Sequence, residues 1–328
     1  MRLQKNMQKR SKDILKQLVA DDLKRMQSWE LSEKIKHTKL LIREWYEHFN
    51  GNVAVSFSGG GKDSTVLLTI AREIYPNISA VYFDTGLEYP EIRDHVKTFD
   101  NVTWLKPKKN FKEIILNYGY PVVSKDVSQK IYEIRNSTEN VRKLRLEGIK
   151  SDGSKSLAVS KLSKKYYYLI DAPFKISAKC CYHMKKSVSH KYTTQTGNYL
   201  IVGTLAEESS LRFMSWAKYG CNAFDAVKQS RPMSFWTEQD VLSYISKYSI
   251  PIAKVYGEIV EENGVLKCSG VDRTGCMFCM YGIRYDLPPN RFERMKTTHP
   301  KQYDWCMKDV CEGGLGLDKV LNFMKIKH

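Results

Sequence analysis

The stretch from residue 53 to residue 86 limits the fold more than any other part of the chain. An apolar run, Val53-Ala54-Val55-Ser56-Phe57, breaks into Ser58-Gly59-Gly60-Gly61-Lys62-Asp63-Ser64-Thr65 and continues as an amphipathic pattern to Tyr75. A second apolar run, Ser79–Phe83, then ends in Asp84-Thr85-Gly86. A buried strand that turns through glycines into a helix aims backbone N–H groups at one point, and the helix dipole adds positive potential there, which suits phosphate. Three successive glycines also make an ordinary tight turn, and Asp63-Ser64 an ordinary helix start, so the loop alone leaves a structural role equally open.

The alternation continues with a helical pattern over Pro90–Thr98, a strand Val102–Leu105, a helix Phe111–Tyr118 closed by Gly119, and a later strand Tyr199–Gly203. This rhythm predicts an α/β fold with a parallel sheet and helical crossovers. Ligands in such sheets bind beyond the carboxyl ends of the strands. The glycine loop, Asp84-Thr85-Gly86 and Gly203-Thr204 are therefore expected along one rim. Before the first strand, Arg2–Phe49 reads as two helices, with Ile14, Leu15, Leu18, Val19 and Leu23 on one and Leu40, Leu41, Trp45 and Phe49 on the next. Thr237-Glu238-Gln239-Asp240 ahead of Val241, Leu242 and Ile245 reads as a capped helix start.

With 328 residues, 42% apolar and 12% aromatic, the chain has material for one large domain or two and is not of disordered composition. The first residues carry no continuous apolar run, so neither a signal peptide nor a membrane span is expected, and the cytoplasm is the expected setting. The net charge is +17, and it is concentrated: Gly148–Lys191 carries ten lysines against Asp152 and Asp171, a net of +8 in 44 residues. A solvated surface loop accounts for part of this. Tyr166-Tyr167-Tyr168 beside the lysines makes a mixture suited to phosphate contacts and base stacking, and so to a DNA or tRNA partner.

Eight cysteines are too few for a disulfide scaffold in a chain of this length. Cys180-Cys181 is an adjacent pair, and Cys276-Met277-Phe278-Cys279 supplies a Cys-x-x-Cys. Two pairs of thiolates can hold tetrahedral zinc or a [4Fe–4S] cluster; a redox disulfide in Cys276–Cys279 and four buried free thiols are the competing readings.

The loop does not follow Walker A, because Asp63 comes after Lys62 and Ser56 stands at the first glycine position. It resembles instead the PP-loop of adenine-nucleotide alpha hydrolases, Ser-Gly-Gly-x-Asp-Ser after a strand, with one extra glycine between Ser58 and Lys62. Together with Tyr89-Pro90-Glu91, Cys180-Cys181, Gly203-Thr204 through Glu208, Ser209 and Arg212, Phe235–Val241, and Cys276 with Cys279, the chain resembles the phosphoadenosine phosphosulfate reductase family from about Val53 to Cys279. The resemblance implies a PP-loop parallel sheet with flanking helices; the helical pattern of residues 1–50 reads as a basic preface added before it. The nucleotide-binding domain would span 51–255 and a cysteine-rich, cluster-binding region 256–328. It also implies a [4Fe–4S] cluster on Cys180, Cys181, Cys276 and Cys279, as in the paired-cysteine branch that includes adenylylsulfate reductases. Relatives in DNA phosphorothioation combine the same fold with such a cluster.

The site expected from this resemblance has Lys62 and Asp63 as catalytic groups. ATP or a sulfonucleotide, with Mg2+, would be held by Ser58, Gly59, Gly60, Gly61, Ser64, Thr65, Asp84, Thr85, Gly86, Gly203, Glu208, Ser209 and Arg212. Two departures bear on the reaction. Assimilatory reductases end in Glu-Cys-Gly-Leu/Ile-His, whereas this tail reads Val310-Cys311-Glu312-Gly313-Gly314; and Leu205 stands where these reductases present an arginine. Leucine cannot pair with sulfate or phosphate. The leading expectation is therefore ATP alpha–beta cleavage, adenylating a nucleic-acid acceptor for sulfur transfer from a sulfur donor. The alternatives are thiol-dependent sulfonucleotide reduction, with Cys311 as nucleophile and a thiol reductant protein as partner, and a non-catalytic iron–sulfur subunit that binds nucleic acid.

Overall fold

Continuous apolar runs belong in strands buried on both faces, and that is where the two runs around the glycine loop lie. The computed structural model describes residues 17–57, 60–225 and 227–328; Ile14, Leu15, Ser58 and Gly59 lie outside the described residues. The described chain divides into two compact units. The first holds the residues up to Asp84, Glu88–Leu105 and His190–Thr274, and the second Thr85–Leu87, Lys106–Ser189 and Gly275–His328.

The first unit is built on a six-stranded sheet. Its strands are β1 (Val53–Ser56), β2 (Ser79–Phe83), β3 (Val102–Leu105), β4 (Tyr199–Val202), β5 (Asn222–Ala223) and β6 (Gln229–Ser230). The order is β3-β2-β1-β4-β6-β5, parallel throughout except that β5 runs antiparallel on β6. Ser56 at the end of β1 stands beside Val81 on one side and Val202 on the other, so the sheet order switches direction at β1. Such a switch point is where an open α/β sheet leaves a crevice for ligand. Phe57 falls just outside β1, although its N–H still donates to the Val81 carbonyl at 3.0 Å.

The helix after the loop runs Lys62–Ile74, one turn earlier than the apolar pattern indicates. Its first turn is held by Thr65 N–H and by the Ser64 and Thr65 hydroxyls, all donating to the Gly61 carbonyl at 2.9, 2.9 and 3.1 Å. Asp63 in that turn suits the positive end of the helix dipole. On the N-terminal side, residues 17–27 are helical and are followed by the helix Leu31–His48, whose buried positions Ile35, Thr38, Ile42 and Trp45 repeat at helical spacing. Ile35, Ile42 and Trp45 share one core with β1, β2 and the Lys62–Ile74 helix. Lys34 is buried there as well, and its ammonium donates to the Gln27 carbonyl and to Asp240 Oδ2, each at 2.6 Å. Asp240 belongs to the expected cap: Thr237 opens the helix Glu238–Tyr248, its Oγ1 accepting from Asp240 N–H at 3.2 Å.

The second unit is mostly helical. Asn110 caps Phe111–Tyr118, which ends at Gly119 with φ +112°. A Cβ at Gly119 would sit 2.4 Å from the Lys175 carbonyl carbon, so close chain approach as well as conformation requires glycine. Val122–Val123 pairs in parallel with Met280–Tyr281, which brings the chain following Cys276 and Cys279 beside the segment that starts the helix Lys125–Asn136.

Candidate functional site

Two centres stand out, one in each unit. In the first unit Gly60 N–H donates to the Phe57 carbonyl at 3.1 Å, and Gly60 stands at φ +51°. A Cβ there would lie 2.7 Å from Val96 Cγ2. Gly203, after β4, would place a Cβ 3.0 Å from the Asp63 carbonyl oxygen. The end of β4 thus packs directly on the first turn of the helix, as a shared ligand crevice requires.

Lys62 is the centre of the electrostatics. Its side chain is 4% exposed, and Nζ lies 3.0 Å from Glu238 Oε1, 3.2 Å from the Asp272 carbonyl and 3.9 Å from Asp63 Oδ1. Burial acts to lower the Lys62 pKa, but the carboxylates of Asp63 and Glu238 together outweigh it and the net shift is upward, so the ammonium stays charged. Burial raises the pKa of Asp63, against the pull of Lys62. The Tyr256 hydroxyl accepts from Lys62 N–H at 3.2 Å and pairs with Thr274 Oγ1 at 2.6 Å, supplying a partner to one of the helix's open N–H groups. A phosphate arriving at this loop would compete with Glu238 for Lys62.

The other expected contacts fall into distinct places. Glu208 accepts from Leu205 N–H at 3.0 Å and forms an ion pair with Arg212, whose guanidinium also feels Asp63. Ser209 caps the helix Ser210–Tyr219, its Oγ accepting from Arg212 N–H at 3.3 Å. Leu205 is buried in the core and presents no side chain to solvent. Asp84 is buried, with Arg93 Nη2 3.0 Å from Oδ2. Beyond it, in the second unit, Thr85 Oγ1 accepts from Leu87 N–H at 3.3 Å, and Gly86 turns at φ +72°. Glu238, Tyr256, Asp272 and Thr274 are not among the residues expected to hold the ligand; each comes from far along the chain, and of the four only Glu238 lies in a stretch, Phe235–Val241, that carries the family resemblance. Thr237-Glu238 reads locally as nothing more than a cap.

His95 supports the same helix start, with Nε2 3.2 Å from Thr65 Oγ1. Burial pushes its pKa down from 6.5 to about 4. The folded protein therefore binds this proton less readily than the unfolded chain. The stability that follows is present in full above the unfolded value and is lost as pH falls from about 6.5 to about 4. Urea unfolding measured across that range should show the decline. His95→Gln should flatten it, and an identical pH dependence in the variant would remove His95 as its cause.

In the second unit Cys180, Cys181, Cys276 and Cys279 line one small cavity, with Leu87, Phe111 and Phe278 among its apolar walls. Cys180 and Cys181 lie in the first turn of a helical stretch that runs on through a π turn at Tyr182–Lys186. Their sulfurs are 3.9 Å apart. The shared hydrogen bond and burial raise the Cys180 pKa, while that same bond, helped by Lys125 and Lys185, lowers the Cys181 pKa. The Cys276 loop is fixed by Met277 N–H donating to the Leu87 carbonyl at 2.8 Å, and Cys279 N–H closes the turn onto the Cys276 carbonyl at 3.1 Å. Among the described residues no three His, Cys, Asp or Glu side chains are arranged to hold a single metal ion.

Of the remaining cysteines, Cys268 stands eight residues before Cys276 in the sequence. It lies in the hairpin strand Val265–Cys268 of the first unit, where Lys62, Asp272, Glu238 and Asp63 act on it, and not with the Cys276 loop that follows it. Cys311 is exposed; its thiol donates to Asp309 Oδ1 at 2.8 Å, and that carboxylate raises its pKa.

A family model described as the phosphoadenosine phosphosulfate reductase domain matches residues 52–281. An uncharacterized protein of Methanocaldococcus jannaschii is 36% identical over 97 residues, which is 27% of this chain and 23% of that protein. The chain thus matches less than a quarter of that relative's length. A solved structure of phosphoadenylyl-sulfate reductase from Candida auris, in a phosphate complex, matches with 12% identity and a TM-score of 0.38, covering 73% of this chain and 98% of that one. No helix among the described residues is long and apolar enough to cross a membrane.

Proposed function

The chain belongs to the phosphoadenosine phosphosulfate reductase domain family, and from that premise we propose that it is a cytoplasmic PP-loop enzyme that cleaves ATP between the alpha and beta phosphates. The acceptor would be an oxygen of a nucleic acid, activated for replacement by sulfur. The observation that carries this reading is Lys62, a charged ammonium at the head of the loop helix beside the switch point of the sheet, with Glu238 holding it until phosphate arrives. The acceptor oxygen attacks the alpha phosphorus, the bond to the bridging oxygen breaks, and pyrophosphate leaves with the electron pair. Lys62 offsets the charge that develops on the leaving group, and Arg212, on which Asp63 acts, supplies a second cation at the loop; a bound Mg2+ would add charge neutralisation at the phosphates. A sulfide-level nucleophile from a donor protein then displaces AMP from the acceptor.

The four thiols around one apolar-walled cavity, two of them in the first turn of a helix, would hold a [4Fe–4S] cluster, since four cysteine thiolates are the ligand set such a cluster takes. Such a cluster would supply electron transfer or sulfur handling. Reduction of a sulfonucleotide is the competing reaction of the family, but it needs a reactive thiolate. At Cys311 the neighbouring Asp309 keeps the proton on sulfur, which disfavours that role. Anaerobic protein mixed with ATP, Mg2+ and candidate nucleic acids should release pyrophosphate. Release of sulfite from a sulfonucleotide in the presence of thioredoxin, with no pyrophosphate from ATP, would overturn the proposal, and turnover of neither would leave a binding subunit.

A further inference from the structure

The second unit carries a basic and aromatic cavity that neither centre uses. Lys165, Tyr166, Tyr168, Arg284, Tyr285 and Lys325 line a space of about 460 Å³, and no carboxylate is among them. That is room for a unit of nucleotide size, within the range of small-molecule pockets. Tyr285 is 79% exposed and Tyr168 38% exposed. A large ring left this open is available as a stacking face.

The walls are held from behind. Arg284 Nη2 donates to the Met324 carbonyl at 2.5 Å and to the Tyr168 hydroxyl at 3.1 Å, and the Tyr168 ring stacks on Phe323 with centroids 5.9 Å apart. Arg135 donates to the carbonyls of Leu169, Ile170, Ala172 and Phe174 at 2.7 to 2.9 Å, which fixes the segment that carries Tyr166 and Tyr168. The nearest carboxylate in sequence to Tyr285, Asp286, is engaged by Arg291 through bonds of 2.7 and 2.8 Å, so it leaves the positive charge of the cavity largely unopposed. Exposed Lys161 and Lys164 extend that charge beyond the cavity along the chain.

We propose that this cavity receives one nucleotide of a single-stranded nucleic acid, its base against Tyr285 and its phosphates on Lys165, Arg284 and Lys325. A duplex hides its base faces, whereas a single strand offers them, and stacking on an aromatic ring is tolerant of sequence. The lysines outside the cavity match a chain of phosphates and exceed what one free nucleotide requires. The inference rests on the nucleic-acid acceptor reading above and names where the strand docks. Its test needs no turnover.

Labelled oligothymidylate, oligouridylate and a duplex of equal length are titrated by fluorescence anisotropy at about 0.1 M salt and at higher salt. Either single strand should bind more tightly than the duplex, and Tyr285→Ala should weaken that binding about tenfold or more. Reversing Lys165→Glu and Lys325→Glu together should lower the slope of log affinity against log salt by about one to two. Lys62→Ala should leave strand affinity unchanged, which separates this site from the nucleotide loop. The proposal falls if no strand binds, if the duplex is preferred, or if Tyr285→Ala binds as wild type. It also falls if Lys62→Ala loses as much strand affinity as Tyr285→Ala, or if AMP displaces the strand at equal concentration. Loss of strand-dependent pyrophosphate release in Tyr285→Ala, with binding of a nonhydrolysable ATP analogue retained, would leave the ATP reading standing and locate the acceptor site here; release that survives the loss of strand binding would overturn the assignment of the acceptor to this cavity.

Discussion

Protein purified without oxygen is expected to be brown, and a serine at any one of Cys181, Cys276 or Cys279 is expected to bleach it. Each of these thiols lines the same cavity, and losing one ligand of four would open the proposed cluster to solvent and to loss of iron. Serine at Cys221, Cys306 or Cys268 should keep the colour. Cys306 is buried with its thiol donating to the Tyr303 carbonyl at 3.2 Å, and Cys268 belongs electrostatically to the glycine loop. Visible absorption and iron content of the seven variants, Cys180→Ser included, check this. A colourless protein with one tightly held zinc per chain would refute the cluster, and retention of full colour in Cys276→Ser would remove that residue from the ligand set.

Lys62→Ala is expected to weaken ATP binding or turnover by about 1.5–3 kcal/mol, the scale of a charge-assisted contact to phosphate, or roughly ten- to a hundredfold. The fold should survive, because the partner Glu238 is 39% exposed and can return to water when the ammonium is removed. Glu238→Gln provides the opposite arm. With the competing carboxylate neutralised, phosphate meets a Lys62 that is no longer pre-engaged, and nucleotide affinity should rise several-fold. A purely structural ion pair predicts something else: loss of thermal stability in both variants and unchanged nucleotide kinetics. Isothermal titration with a nonhydrolysable ATP analogue, paired with thermal unfolding, distinguishes the two.

Much of the first unit was legible because the responsible interactions are local. The parallel strands around the loop and the Thr237–Asp240 cap, like the helix closed by Gly119 in the second unit, each depend on residues a few positions apart, so apolar period and cap chemistry carry the information. Even there the apolar period does not carry the start of the loop helix, which lies at Lys62. The apolar pattern begins at Thr65, whereas the first turn is held by hydrogen bonds to the Gly61 carbonyl, which leave no trace in hydrophobic spacing.

The partners of each reactive group were decided by the tertiary structure. Nothing around Lys62 in the sequence points to Glu238, Asp272 or Tyr256, and nothing around Tyr168 points to Arg284. These pairs meet only after the sheet and the helices have brought distant segments together. Cys268 makes the point from the other side: it is a near neighbour of Cys276 along the chain, yet it lies with the glycine loop in the first unit. Backbone conformation is set by sterics and hydrogen bonds that reach about four residues, so sequence alone determined the strand, turn and cap chemistry. Side-chain pairing depends on the path of the whole chain, so only the folded structure decided which charges and rings face one another.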